Sequence, residues 1–107
     1  MKNPPLTPDE LDLLRGVFQH HPEITAVILF GSRAKGTHAA HSDVDLALWG
    51  RVSPLQAEAI ASELDALPLP YRYDVQAFAS ISLRPLRDHI ERVGVTVYSA
   101  PGLEEKV

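Results

Sequence analysis

Two aspartates lie two residues apart in a segment that otherwise has the composition of a β-strand. Residues 43–49 alternate, so that Asp43 and Asp45 lie on one face and apolar side chains on the other. Aspartate is depleted in strands, and residues i and i+2 project to the same side, so the two carboxylates can share ligands. Like charges this close repel unless a cation lies between them, and such oxygen ligands suit Mg²⁺ or Mn²⁺. The alternative is the solvated face of an edge strand.

A third aspartate, Asp74, lies on the polar side of a second alternating segment, residues 71–78. If this strand lies beside the strand of Asp43 and Asp45, the three carboxylates converge. Three carboxylates can hold two metal ions about 4 Å apart, an arrangement used for in-line displacement at phosphorus. An exposed Asp74 paired with Arg72 explains the same spacing equally well, so both interpretations remain open.

A Gly-Ser pair, Gly31-Ser32, follows seven nearly continuous apolar residues at 24–30, a run that predicts a central strand buried on both faces. A tight turn there exposes backbone N–H groups. Ser32 can cap a short helix starting at Arg33, which creates a site for an anion. Arg33 and Lys35 add positive charge for the oxygens of a bound phosphate. The spacing differs from that of a Walker A loop, and an ordinary strand-ending turn is the alternative.

Three helices and four strands must position these groups. The order helix, strand, strand, helix, strand, helix, strand predicts an α/β (α+β) fold, a small mixed β-sheet with its helices packed on one face and the aspartates on the other. Capping boxes start the first two helices, at Thr7 with Glu10 and at Ser53 with Gln56. The third helix is expected to end at Gly94 in a left-handed conformation. The expected strands are residues 24–30, 43–49, 71–78 and 95–98.

The composition is that of an ordinary globular protein of 107 residues, with 45% hydrophobic and 22% charged residues. This length predicts one domain, residues 1–107, with a tail at 102–107 that is expected to fray. The net charge of -4 disfavours general nucleic-acid binding, which needs a basic surface. There is no cysteine, no apolar run long enough to cross a bilayer and no secretory leader, so we expect a cytoplasmic protein without membrane contact.

The spacing of these groups resembles the motif of the nucleotidyltransferase superfamily of DNA polymerase β-like enzymes. The motif consists of Gly31-Ser32, ten further residues, and then Asp43 and Asp45 separated by one residue. In particular, the chain resembles the minimal nucleotidyltransferases (MNT), the small partners in two-gene HEPN/MNT toxin–antitoxin modules. The resemblance extends to the strand of Asp74 and, more weakly, to residues 89–95. These 107 residues do not include the second domain that larger relatives use to hold an acceptor.

This resemblance implies a nucleotidyltransferase fold and a role for each motif residue. Gly31 and Ser32 would bind the β- and γ-phosphates of an incoming nucleotide. Asp43 and Asp45 would each ligate two Mg²⁺ or Mn²⁺ ions, while Asp74 would ligate one ion and help activate the acceptor hydroxyl. The implied reaction transfers AMP from ATP to a hydroxyl on a tyrosine of a HEPN-type toxin, which the modification would silence.

Two other functions remain open. An antitoxin can act by binding alone and masking its partner, although an intact set of three aspartates argues against an idle site. A small-molecule nucleotidyltransferase of the antibiotic-modifying type is disfavoured by the chain length. Because no segment remains to wall the acceptor side of the open sheet face, we expect a homo-oligomer or a hetero-complex. The candidate contact residues are the aromatic residues Trp49, Tyr71 and Tyr73.

Overall fold

A computed structural model of the chain describes residues 6–31 and 43–101. The helices and strands follow in the predicted order, and the ends of the strands differ from the prediction by at most two residues. The helices are α1 (Pro8–Phe18), α2 (Pro54–Asp65) and α3 (Arg84–Val93), and the strands are β1 (Ile24–Phe30), β2 (Val44–Gly50), β3 (Tyr73–Ala77) and β4 (Val95–Ser99). A 3₁₀ turn, Phe78–Ser80, follows β3. Within residues 6–31 and 43–101, no helix has the length and apolar character needed to span a bilayer.

The strands form one mixed sheet in the order β3-β2-β1-β4. β1 pairs antiparallel with β2 on one side and with β4 on the other, whereas β2 and β3 are parallel. A parallel pair needs a crossover connection, and α2 supplies it between β2 and β3. The end of β1 and the starts of β2 and β3 therefore meet at one end of the sheet.

Both predicted capping boxes are present. At the start of α1 the Glu10 N–H donates to Thr7 Oγ1 at 3.2 Å, and the Thr7 N–H donates to Glu10 Oε1 at 2.9 Å. Ser53 and Gln56 exchange the same two bonds at the start of α2, at 3.1 and 2.9 Å. In each box two backbone N–H groups donate to side-chain oxygens, and without these partners the helix start would leave them unsatisfied, so the box fixes where the helix begins.

The main core lies between the sheet and the pair α1 and α2. Leu14 and Phe18 of α1 and Ile60 and Leu64 of α2 are fully buried there. They pack against one face of the central strands, whose contributing side chains are Val27, Leu29, Val44, Leu46 and Leu48. This face is buried as the alternation of β2 predicted.

The opposite face of the sheet is also covered, and this corrects one part of the prediction. The fold class and the mixed sheet are confirmed, but only α1 and α2 share a face. Ile90 of α3 packs in a second cluster with Phe30, Ala47 and Phe78 on the side that also carries Asp45. The physical reason is that β1 is apolar on both sides, so its second face needs a cover as well.

The turn after α3 also differs from the prediction. Gly94 follows α3 with φ −64° and ψ 147°, an extended conformation open to any residue, rather than the expected left-handed one. A β-carbon at this position would overlap the side chain of Ile28 and the carbonyl oxygen of Ile90. Glycine is therefore needed here for the close approach of α3 to β1.

Candidate functional site

Asp45 and Asp74 lie side by side on neighbouring strands. They are register partners in the parallel pair of β2 and β3, so their side chains leave the same face of the sheet. Neighbouring strands are about 4.8 Å apart, which sets the scale of their separation. Asp43 directly precedes β2 and is exposed. The strand of Asp74 thus lies beside the strand of Asp45, which the sequence had left open.

The charges at this end of the sheet act on one another. The pKa of Asp45 is raised, first because the side chain is partly buried and then because the carboxylates of Asp74 and Asp43 repel its negative charge. In the described part of the chain Asp74 forms no ion pair with Arg72. Among the described residues, Asp74 is therefore exposed, as that alternative expects, but it is not paired with the arginine.

Gly31 lies at the end of β1, where it forms one side of the site. It follows Phe30, the register partner of Asp45 in the antiparallel pair, and it has a φ of +78°. A β-carbon on Gly31 would overlap the Asp45 carboxylate, with Cγ of that side chain only 3.2 Å away. The position therefore requires glycine for two reasons, its backbone conformation and its contact with Asp45.

The other predicted nucleotide-binding residues, Ser32, Arg33 and Lys35, lie outside the described residues. Their assignment remains a prediction. Of the predicted phosphate-binding turn, the structure describes only Gly31.

The donor set fits a hard divalent cation. All three side chains are carboxylates, Asp45 and Asp74 share one face, and the raised pKa of Asp45 marks a place where a positive charge would be favoured. Among residues 6–31 and 43–101, no three His, Cys, Asp or Glu side chains already converge closely enough to hold a metal ion. The three carboxylates are therefore neighbours that do not converge on a common point, unlike the expectation for adjacent strands, and mutual repulsion is the physical reason.

Two of the three aromatic residues expected near the site lie elsewhere. Tyr71 donates its hydroxyl to Glu10 Oε2 at 2.5 Å, and both Tyr71 and Tyr73 pack against the core beneath α1 and α2. The alternation of β3 explains this placement, since Tyr73 and Asp74 must leave opposite faces. Trp49 does lie on the face of Asp45, where its ring stacks on Phe78 with the centroids 3.6 Å apart.

α3 brings to this face a residue that the sequence did not mark as part of the site. His89 is half-buried, and its ring meets that of Phe30 edge-on, with centroids 6.4 Å apart and an interplanar angle of 81°. The apolar character of β1 on both faces was the signal that a helix must lie here. Nothing in the sequence indicated which helix it would be.

The chain was also compared with known proteins. Residues 13–101 match the family model described as "Polymerase beta, Nucleotidyltransferase". The chain belongs to this family. The matched range contains Gly31 and the three aspartates, Asp43, Asp45 and Asp74. A search of curated proteins found no match.

Similar solved structures come from toxin–antitoxin complexes. A chain of a toxin–antitoxin crystal structure with AMP-PNP has a TM-score of 0.69 at 23% identity, over 94% of this chain and 79% of that one. A chain of the MntA–HepT toxin–antitoxin structure gives 0.67 at 16% identity, over 88% and 74%. The third is a tri-AMPylated Shewanella oneidensis HEPN toxin in complex with MNT antitoxin, with 0.59 at 20% identity, over 91% and 72%. At these identities the likeness shows the nucleotidyltransferase fold.

Proposed function

We propose that this chain is a metal-dependent nucleotidyltransferase that transfers AMP from ATP to a hydroxyl group on a partner protein. The observation that carries the proposal is the pairing of Asp45 with Asp74 on adjacent strands, with Gly31 closing against Asp45. A surface with no chemical role gains nothing from placing a partly buried Asp45 beside two exposed carboxylates of the same charge. Membership in the polymerase β nucleotidyltransferase family supports the same conclusion.

The proposed reaction is a displacement at the α-phosphorus of ATP. The acceptor hydroxyl oxygen forms a bond to this phosphorus, the bond to the bridging oxygen breaks, and pyrophosphate leaves. Asp74 accepts the hydroxyl proton, because it lies at the outer side of the carboxylate group, on β3 at the edge of the sheet. The proposed role of Gly31, at the end of β1, is to bind the β- and γ-phosphates through its backbone, while its missing β-carbon leaves room for the Asp45 carboxylate.

Asp43, Asp45 and Asp74 are the residues that would hold two Mg²⁺ or Mn²⁺ ions. When bound, such ions neutralise charge on the phosphate oxygens and favour ionisation of the attacking hydroxyl. The chain itself contributes fixed positions: two carboxylates supported by neighbouring strands and a third by the residue preceding β2. Catalysis of phosphoryl chemistry rests largely on such positioning and charge neutralisation.

The proposed acceptor is a tyrosine of a HEPN-type toxin, and the proposed role is that of an antitoxin acting in a hetero-complex. Support comes from the structural neighbours, which include an AMPylated HEPN toxin in complex with an MNT antitoxin and a toxin–antitoxin pair with AMP-PNP. The side of the site at β3 carries no covering helix among the described residues, which leaves room for a macromolecular acceptor.

The decisive experiment is intact mass spectrometry of the protein encoded beside this one, after incubation with this chain, ATP and Mg²⁺. We expect the partner to gain one or more adenylyl groups and to lose its toxicity. Asp45→Asn is the matched variant, because it keeps the shape of the side chain and removes its charge. Neutralisation of the partner by Asp45→Asn with no gain in mass would instead support an antitoxin that acts by binding alone.

A small-molecule transferase is distinguished in the same reaction. Modification of small hydroxyl compounds at a rate that exceeds modification of the partner would overturn the proposed acceptor while leaving the transferase assignment in place. Light scattering of the mixture then reports whether the two proteins form a stable complex.

A further inference from the structure

His89 is placed beside the site by its contact with Phe30. Phe30 precedes Gly31 and is the register partner of Asp45, and the His89 ring lies edge-on against it at 6.4 Å between centroids. On α3, Leu86 and Ile90 face the sheet, and Arg87 on one flank contacts Phe78. His89 is on the other flank, which faces the end of β1. The helix therefore directs this imidazole towards the Gly31 end of the site.

The three histidines in the described part of the chain differ in their hydrogen bonding. His20 Nδ1 lies 2.7 Å from the Gly16 carbonyl oxygen, and His21 Nε2 lies 2.8 Å from Glu63 Oε2. His89 has no hydrogen-bond partner among the residues that the structure describes, although it is half-buried. Its ring nitrogens are not among the fully buried polar atoms of the described residues, so they remain accessible to a ligand that binds beside Phe30.

The order of the strands indicates which part of a nucleotide His89 can reach. Across the sheet the groups follow one another as Asp74 on β3, Asp45 on β2, and Gly31 with His89 at β1. In an in-line displacement the attacking and leaving oxygens lie on opposite sides of the phosphorus. With Asp74 on the side of the acceptor, the pyrophosphate end of the nucleotide lies on the side of β1.

We propose that His89 is a further nucleotide-binding residue, which donates a hydrogen bond from its ring to the β- or γ-phosphate of the bound triphosphate. This inference rests on the proposed function. It assigns to α3 a part in holding the leaving group, with the edge contact to Phe30 setting the orientation of the imidazole. A hydrogen bond to a charged oxygen is among the stronger polar interactions in proteins.

The test compares binding of Mg²⁺–ATP and of AMP to the full chain by calorimetry, for the wild type, His89→Ala and His89→Gln. His20→Ala is the matched control, since the His20 ring bonds the Gly16 carbonyl oxygen of α1, away from the site. We expect His89→Ala to weaken binding of Mg²⁺–ATP about tenfold or more, the loss typical of one bond to a charged group. Binding of AMP should not change, and His89→Gln, which keeps an N–H donor, should restore much of the affinity.

Each outcome decides a separate point. Equal affinity of the wild type and His89→Ala for Mg²⁺–ATP would overturn the inference and leave the proposed function intact. An equal loss for ATP and AMP would also overturn it, because the contact would then lie at the nucleoside or the α-phosphate. A wild type that binds no Mg²⁺–ATP would contradict the proposed function itself. Melting temperatures of the variants near that of the wild type exclude a general effect on folding.

Discussion

The carboxylate of Asp45 lies against the α-carbon of Gly31, on the opposite strand of an antiparallel pair. There is no room for a β-carbon between them, and the glycine backbone is in the left-handed region with φ +78°. The end of β1 and the start of β2 are therefore in close contact through Gly31 and Asp45, two residues of the proposed site. A substitution on either side of this contact affects both the fold and the site.

Gly31→Ala should destabilise the protein and abolish nucleotide transfer. A non-glycine residue in the left-handed region costs about 1–2 kcal/mol, before the overlap with Asp45 is counted. For a chain of this size each kcal/mol lowers Tm by roughly 4–8 °C. Gly16→Ala is the control, because Gly16 is inside α1 with nothing near its absent β-carbon. It should raise stability by about 0.5–1 kcal/mol. Thermal melting followed by circular dichroism measures both effects.

A double-mutant cycle separates the two costs at Gly31. In the background of Asp45→Ala the overlap is removed, whereas the cost of the backbone conformation remains. We therefore expect Gly31→Ala to be less destabilising in that background than in the wild type. If Gly31→Ala lowers stability equally in the two backgrounds, the contact with Asp45 does not contribute to the destabilisation.

Asp45→Asn and Asp43→Asn should each reduce transfer at least about a hundredfold, the size of loss seen when one group that stabilises transition-state charge is removed. Neither should unfold the protein, because each removes one of several like charges. Release of pyrophosphate measured beside Tm tests both statements. Full activity of either variant would remove that aspartate from the site.

The stability of the wild type should fall with rising pH in the weakly acidic range because of Asp45. Its pKa is raised above the ordinary 3.8, so the folded chain keeps a proton that the unfolded chain has already lost. This contribution to stability is fully present below about pH 4 and is lost as the pH rises through the folded-state pKa. Asp45→Asn removes the dependence, so its Tm relative to the wild type should rise from pH 4 to 7. A constant difference in Tm over that range would show that Asp45 does not titrate in this way.

Mg²⁺ alone should raise Tm slightly, and Mg²⁺ with ATP should raise it further. A cation held by a few carboxylates keeps several water ligands and gains phosphate oxygens from the nucleotide. The stabilisation follows mass action and should grow with concentration above Kd, by about 2.7 kcal/mol at a hundred times Kd. Asp45→Asn serves as the control and should lose most of the shift. The absence of any shift in the wild type at millimolar concentrations would count against a nucleotide site.

Ser53→Ala should cost about 1 kcal/mol of stability without changing the chemistry of the site. Ser53 caps α2, the helix that carries the chain from β2 to β3. Ser82, an exposed residue outside the helices, provides the control as Ser82→Ala. Ser53→Ala should unfold at a clearly lower urea concentration than Ser82→Ala. Equal unfolding midpoints would show that the Ser53 cap does not stabilise α2.

Much of the fold could be predicted because local patterns and tertiary contacts agree. The apolar run at 24–30 fixed β1, and the two capping boxes fixed the starts of α1 and α2. The order of the strands was less accessible, because several sheets accommodate the same alternation. The placement of Asp74 beside Asp45 depended on a parallel pairing that spacing alone could not establish.

The position of α3 could be predicted only in part. A strand that is apolar on both sides must be covered by other elements on both faces, and β1 is such a strand. The prediction that all helices pack on one face did not take this requirement into account. Gly94 shows a similar limit. Glycine after a helix usually marks a left-handed cap, whereas here the approach of Ile28 decides the residue, a contact between elements far apart in sequence.

The connections between the strands imply an order of assembly during folding. β1 and β2 are neighbours in the sequence as well as in the sheet, so the contact between Gly31 and Asp45 is local and closes at a low cost in chain entropy. We expect Asp74 to arrive later, when the longer crossover through α2 brings β3 into place. A nascent chain that ends before β3 can form the contact between Gly31 and Asp45 but lacks Asp74, the third carboxylate. We therefore expect no nucleotide transfer until β2 and β3 have paired.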